Sequence, residues 1–189
     1  STLAMAMVTL GDSRAGFNST STKPFIVNVT ITNPFPKDGS AIITLPSDYD
    51  ISGASVVGHS MGSTVSIGVN SGSSTITVTR LGGGDTISEG GIIWIKFSGI
   101  RNPVTTGDIG KFEISLKTSS SHTTDKDDDI QVVDQLVAGT LEGFTVEPVS
   151  LVAGKTTDFV VGVKLANPLP IDASIFIFLP QILNDHPNW

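Results

Sequence analysis

A 22-residue stretch of this chain occurs twice, and this internal repeat constrains the fold more than any other feature. The stretch 25–46, FIVNVTITNPFPKDGSAIITLP, aligns without a gap with 159–180, FVVGVKLANPLPIDASIFIFLP, at an offset of 134 residues. Eleven of the 22 positions are identical, and they comprise alternate apolar positions and an NPxPxD turn. The chain therefore contains one copy of a unit of roughly 134 residues and the opening of a second.

Alternation of apolar and polar residues predicts β-strands throughout the first copy. Strands are predicted near 3–10, 25–33, 40–46, 64–69, 74–81, 92–98 and 111–118, with a short one near 54–57. Turns rich in Gly, Pro and Asn separate them, and no window has the apolar stripe and caps of a helix. The predicted fold class is all-β: an antiparallel immunoglobulin-like β-sandwich, one complete copy plus the first strands of a second. A partly closed barrel is the alternative.

The predicted domains are residues 1–129 for the first repeat and 130–189 for an incomplete second repeat. At the offset of 134, Trp189 corresponds to position 55, so counterparts of about half of the first copy are absent from the sequence. A half-sandwich exposes an apolar face and unpaired strand edges. Because such surfaces are unstable in water, we expect another segment of protein to bury them. Either the chain continues past Trp189, or another subunit completes the sandwich by strand addition, with residues 1–10 as a candidate donor strand.

The second copy is more apolar than the first on its predicted outer side. Phe176 and Phe178 replace Ile42 and Thr44 of the first copy. Two exposed Phe side chains would each leave about 2 kcal/mol of burial unused. Either another part of the same domain covers them, or they form a subunit or domain contact. The candidate contact residues are Leu3, Met5 and Met7 in the donor strand, and Phe176, Phe178, Leu183 and Trp189 in the second copy.

The stretch GHSMG at 58–62 matches the G-x-S-x-G pattern of serine hydrolases, with Ser60 at its centre. In those enzymes the pattern lies on a sharp turn between a strand and a helix, and this turn places the serine above a parallel sheet. Here the flanking residues predict a turn between two strands. We therefore expect no catalytic residues and no enzymatic activity.

The charge and composition of the chain limit the partners and ligands that it is expected to bind. A net charge of −7 argues against binding to nucleic acid. The chain has no Cys, and its apolar runs are too short to span a membrane. The acidic stretch 125–129 is expected to be a solvated linker between the copies. A calcium site formed by Asp125, Asp127, Asp128 and Asp129 is the alternative, and otherwise no metal or cofactor is expected.

Two N-glycosylation sequons, Asn18-Ser-Thr and Asn28-Val-Thr, are placed where a glycan would leave the core undisturbed. Asn18 lies in a polar loop. Asn28 takes an outward position of its predicted strand. We expect both to carry N-linked glycans if the chain is secreted from a eukaryotic cell.

The paired NPxPxD strands resemble tandem immunoglobulin-like repeats of large secreted surface proteins, including those of protists, and the β-sandwich subunits of glycosylated, pilus-like extracellular fibrils. The resemblance covers the repeat and the strand rhythm, and it lacks the Cys and Trp pattern of antibody domains. It implies a structural or adhesive role at the cell surface. We expect an extracellular filament subunit that self-associates head to tail or continues into the next repeat. A carbohydrate- or ligand-binding adhesin domain is the alternative.

Overall fold

The computed structural model describes residues 1–132, 134–169, 171 and 173–178. All of its regular elements there are strands, apart from one short 3-10 turn at Ser71–Ser73. The strands are β1 (Met5–Thr9), β2 (Phe25–Thr30), β3 (Ser40–Thr44), β4 (Ser55–His59), β5 (Val65–Asn70), β6 (Thr75–Arg80), β7 (Ile92–Ser98), β8 (Phe112–Lys117), β9 (Thr123–Ile130), β10 (Glu142–Pro148) and β11 (Phe159–Lys164). All eight strands predicted for the first copy are present, and the all-β prediction is confirmed.

Strands β1–β9 form two antiparallel sheets that share one core. One sheet has the order β1-β2-β7-β4 and the other the order β5-β6-β3-β8-β9. The alternation seen in the sequence decides which side of each strand is buried: Phe25, Val27 and Val29 of β2 point inward, and the residues between them face out. The result is the predicted antiparallel β-sandwich.

Three aromatic side chains pack at the centre of this sandwich. Phe25 of β2 meets Phe112 of β8 across the two sheets, with ring centroids 5.8 Å apart. Tyr49 packs edge-on against Phe112 at 5.3 Å and against Phe25 at 6.2 Å. Because each ring contributes a large buried apolar area, this trio is a main contribution to the core.

Strand β1 belongs to the same sandwich as β2. It pairs antiparallel with β2 over its whole length. On its other side, parallel bridges join Thr2 to Lys126 and Val8 to Val132. Residues 1–10, expected as a candidate donor strand, thus close one edge of their own sandwich, because both edges of this segment already have partners in the chain.

The acidic stretch 125–129 is part of strand β9 and not a linker. Strand β9 pairs with β8, and its buried Asp125 takes an inward position beside Leu116. The predicted domain boundary after residue 129 lies one residue before the end of this strand at Ile130. Leu136 is buried in the same core, and Val137 bridges to Arg14. We call residues 1–137 unit one.

The residues from 138 onward, which we call unit two, contain the hairpin of β10 and β11. The repeat predicted strand β11, and its bounds match those of β2 at the offset of 134 residues. The expected strand that would correspond to β3 is not formed over residues 173–178. Strand β3 is held between β6 and β8 in unit one, and the described residues of unit two form only the β10–β11 sheet.

Candidate functional site

The β10–β11 hairpin reproduces the β1–β2 hairpin. Val146 pairs with Val161 as Val8 pairs with Val27. Strand β10 follows β1 by 138 residues and β11 follows β2 by 134, so the connection between the paired strands is four residues shorter in unit two. The structure therefore extends the repeat upstream of the 22-residue stretch that aligns without a gap.

Equivalent side chains differ sharply in exposure between the two hairpins. Phe25 is 1% exposed, and its counterpart Phe159 is 44% exposed. Strand β2 lies between β1 and β7, whereas β11 pairs only with β10 among the described residues. Strand β11 thus presents an open edge and an apolar side where β2 has a neighbouring strand and a core.

The junction between the units is built on a tight turn at Ala15–Gly16. Two backbone hydrogen bonds fix the turn to the rest of unit one. Ala15 N donates to Val137 O at 2.8 Å, and Gly16 N donates to Pro103 O at 2.7 Å. Arg101 Nε donates to Gly16 O at 3.0 Å. Gly16 has a φ of +70°, a conformation that favours glycine.

Unit two contacts this turn through Asn167, the counterpart of Asn33. A Cβ atom added at Gly16 would collide with the side-chain amide of Asn167. A Cβ added at Gly139, in the connection between the units, would lie 3.0 Å from the Cβ of Ala166. Two positions without a side chain thus allow the bend at Ala166–Asn167 to approach unit one closely. Clefts of about 300 and 360 Å³ flank the contact.

Charged residues next to the turn are paired with one another. Asp12 accepts hydrogen bonds from Arg14 Nε at 2.8 Å and Lys23 Nζ at 2.7 Å. The hydrogen bond from Arg14, together with that from Lys23, lowers the pKa of Asp12. Both cations also lie over the ring of Phe17, within 6 Å of its centroid. The surface beside the junction is thus formed by a cluster with a small net charge, which consists of Asp12, Arg14, Phe17 and Lys23.

The structure separates the predicted contact residues into two groups. In the N-terminal segment, Leu3 is buried in the core, Met7 is half-buried and Met5 is exposed. In unit two, Phe176 and Phe178 are 79% and 91% exposed. Leu183 and Trp189 lie outside the described residues. Leu3 is therefore used by unit one itself, and the two Phe side chains are accessible to a partner.

The four aspartates considered as a calcium site do not converge. The buried Asp125 accepts hydrogen bonds from Thr32 and Asn33, whereas Asp128 and Asp129 are exposed and paired with lysines. Within the ranges that the structure describes, no group of three or more acidic or His side chains could hold a metal ion. The alternation along β9 sends neighbouring carboxylates to opposite sides of the sheet.

Ser60 completes the pairing of β4 with β7. Its Oγ donates to Ile92 O at 3.3 Å and accepts from Trp94 N at 2.9 Å. The neighbouring His59 accepts a hydrogen bond from Met61 N through Nδ1. The Ser60 hydroxyl is thus used in backbone hydrogen bonds.

The two sequon asparagines lie in different surroundings. Asn18 is exposed and lines the 300 Å³ cleft beside the junction. Asn28 is half-buried on the outward side of the four-stranded sheet, between its register partners Met7 and Trp94. A glycan at Asn18 would therefore stand next to the contact between the units.

The glycines of the junction were not recognised as functional from the sequence. A signal is present: Ala15–Gly16 recurs as Ala153–Gly154 at the offset of 138, the same as that of β1 and β10. The two offsets differ by four residues, so this match is a loose similarity outside the ungapped alignment at 134. Strand pairing shows that the two turns occupy equivalent places.

No protein-family model matches the chain, and the comparison with curated proteins finds no match either. Two solved cohesin structures are similar to it. One is a non-cellulosomal cohesin from the archaeon Archaeoglobus fulgidus, 14% identical over 69% of this chain and 93% of that one, with a TM-score of 0.29. The other is the sixth cohesin of Acetivibrio cellulolyticus scaffoldin B, solved with a mutant Cel5 dockerin. It is 12% identical over 70% and 99% of the two chains, with a TM-score of 0.30. In the part of the chain that the structure describes, no helix is long and apolar enough to cross a membrane.

Proposed function

We propose that this protein is a structural subunit or repeat of an extracellular filament or surface fibre, with no enzymatic activity of its own. Its units are joined head to tail by completion of β-sandwiches and by hydrophobic contacts. The observation that carries this proposal is the exposure of Phe159 in a strand whose counterpart β2 is fully enclosed.

Physical chemistry supports completion of unit two by further strands. An isolated two-stranded hairpin is marginally stable in water. The core-facing side of β11 repeats Val27 and Val29 as Val161 and Val163. Burying each such side chain contributes about 1.5–3 kcal/mol. A strand added at the open edge of β11, where β7 lies in unit one, would supply both the missing hydrogen bonds and part of this burial.

The exposed side of unit two also suits a protein partner. Phe176 and Phe178 remain accessible beside Ile175 and Ile177. Several exposed large apolar side chains close together in the chain are typical of contacts between subunits or repeats. The proposed glycans at Asn18 and Asn28 would lie on unit one and leave this surface open.

The proposal is tested by light scattering of the purified chain with an apolar dye as a second readout. We expect concentration-dependent association and dye binding that falls as association proceeds. Val161→Lys should weaken association, because it places a charge on the core-facing side of β11. Val160→Lys, an exposed position on the opposite side of the same strand, is the matched control. A stable monomer that binds no dye would remove the basis of the proposal.

A second candidate function, carbohydrate or ligand binding, is favoured by one cleft of unit one. This cleft of about 370 Å³ is lined by the segments 107–110, 131–132 and 134–136. Asp108, Gln131, Asp134 and Gln135 supply carboxylate and amide groups of the kind that bind hydroxyl groups. A glycan array probed with and without a chelator tests this function. Saturable binding that Asp134→Asn abolishes would support it.

A further inference from the structure

The Ala15–Gly16 turn of unit one forms a surface on which the next unit docks. Both of its backbone N–H groups and the C=O group of Gly16 are bonded within unit one, so unit one itself holds the turn in place. Its open side is covered by Asn167. Ala15, the other residue of the turn, is buried. The contact therefore joins a rigid turn of one unit to the Asn-Pro bend of the following unit.

Unit two carries the same turn in an open state. Gly154 follows Gly16 by 138 residues and has a φ of +73°, against +70° at Gly16. A Cβ added at Gly154 would meet no described atom within 4 Å, and both Ala153 and Gly154 are exposed. The shape that receives Asn167 on unit one is thus repeated on unit two without an occupant among the described residues.

Unit one carries the matching Asn-Pro bend. Asn33 Nδ2 donates to Asp125 Oδ1 at 2.8 Å and to Thr124 O at 3.2 Å. Its Oδ1, the counterpart of the atom of Asn167 nearest Gly16, accepts no hydrogen bond within the described part of the chain. Pro34, next to it, is exposed. The bend of unit one can therefore dock on a glycine turn while it keeps its own bonds.

The bend and the turn lie at opposite ends of a unit. Ser1, at the start of unit one, contacts Thr32 beside the bend through a 2.8 Å hydrogen bond between their hydroxyls. Val137, at the end of unit one, is bonded to the Ala15–Gly16 turn. Successive units can thus repeat the same end-to-end contact in one direction.

We propose that the Ala153–Gly154 turn binds the Asn33–Pro34 bend of a second copy of this chain. This inference rests on the proposed function and identifies one of its contacts. The two surfaces differ from each other, so the contact is heterologous, and its repetition builds an open chain of subunits.

The test is a concentration series followed by amide chemical shifts of the full chain. In the unmodified protein, amides of residues 152–155 and 32–33 should shift together as the chain is concentrated to about 1 mM. Gly154→Ala should weaken this association by about ten-fold or more. Gly82→Ala is the matched control, because it places the same side chain at a similar positive φ of +79°, meets no described atom within 4 Å and leaves the turns at Gly16 and Gly154 intact.

Mixing makes the test directional. Labelled unmodified chain should respond at 152–155 to unlabelled Gly154→Ala chain, which keeps its own Asn33 bend. Labelled Gly154→Ala chain should respond to unmodified chain at 32–33 and not at its altered turn. Spectra of unit one in each variant show that the sandwich is folded.

Three results would overturn the inference, and they can be distinguished from one another. Shifts confined to β11 and the apolar side chains of unit two, with none at 152–155, would leave the proposed function standing and remove the Gly154 contact. An absence of concentration-dependent shifts anywhere would count against both. Equal weakening by Gly82→Ala and Gly154→Ala would show that the effect is backbone strain and not docking.

Discussion

Asn33 donates two hydrogen bonds to the buried carboxylate of Asp125, from its backbone N at 3.1 Å and from Nδ2 at 2.8 Å. Thr32 adds two more, from its backbone N at 3.1 Å and from Oγ1 at 2.6 Å. These bonds hold the Asn-Pro bend against strand β9. The bend is the first part of the repeated NPxPxD turn. One carboxylate thus positions the end of unit one that we propose as a contact surface.

Asp125→Ala should destabilise unit one by about 2–4 kcal/mol, because it leaves several buried donors without an acceptor. Urea unfolding at neutral pH measures the change. Asp128→Ala, an exposed position on the same strand, should change stability by no more than about 0.5 kcal/mol. Equal effects of the two substitutions would contradict a special role for Asp125.

The stabilisation from Asp125 should depend on pH in a defined direction. Burial raises the pKa of this carboxyl, but the hydrogen bonds from Thr32 and Asn33 outweigh burial and lower it overall. A lowered pKa in the folded state stabilises the fold above the unfolded value of about 4, and this contribution is lost as pH falls through the folded value. The stability difference between the unmodified chain and Asp125→Asn should therefore shrink in acid. Unfolding curves at several pH values check this.

Tyr49→Phe should leave the stability of unit one unchanged or raise it by about 1 kcal/mol. The Tyr49 hydroxyl is buried and has no hydrogen-bond partner among the described residues, and this burial raises its pKa. Removing the hydroxyl keeps the ring between Phe25 and Phe112. Phe112→Ala, by contrast, should cost about 3–5 kcal/mol through the cavity it leaves. Thermal unfolding distinguishes the two, and a marked loss in Tyr49→Phe would point to a polar partner.

Ser60→Ala should cost about 1 kcal/mol of stability, because its hydroxyl bridges Ile92 O and Trp94 N at the end of the β4–β7 pairing. A fluorophosphonate probe for reactive serines should fail to label Ser60 in the folded protein. Mass spectrometry of the probed chain provides the readout. Stoichiometric labelling of Ser60 would contradict the structural role described above and reopen catalysis.

Expression in a eukaryotic secretory host should place N-linked glycans at Asn18 and Asn28. Asn18 is exposed in a loop, whereas Asn28 stands between Met7 and Trp94, so we expect fuller occupancy at Asn18. Intact mass before and after glycosidase treatment gives the total. The single variants Asn18→Gln and Asn28→Gln assign it to sites, and an unchanged mass in both would exclude the proposed glycans.

The sequence alone was sufficient for eight of the nine strands of unit one and for the existence of a second copy. Period-two alternation predicts strands because it decides which side of a pleated chain can be buried, and this rule is local. Strand β9 was missed for the same reason: its acidic residues look solvated until the long-range bonds from Thr32 and Asn33 to Asp125 are seen. Pairing between segments some 90 residues apart is not encoded in a local pattern.

The sequence by itself determined the class of fold, the repeat at 134 residues and the likeness of its two apolar strands. Only the tertiary structure decided that residues 1–10 complete their own sandwich, that Phe159 is exposed where Phe25 is enclosed, and that Gly16 receives Asn167. The physical reason is that burial and close approach depend on which surfaces meet in space. Two strands with the same alternate apolar residues therefore acquire different roles from the neighbours that surround them.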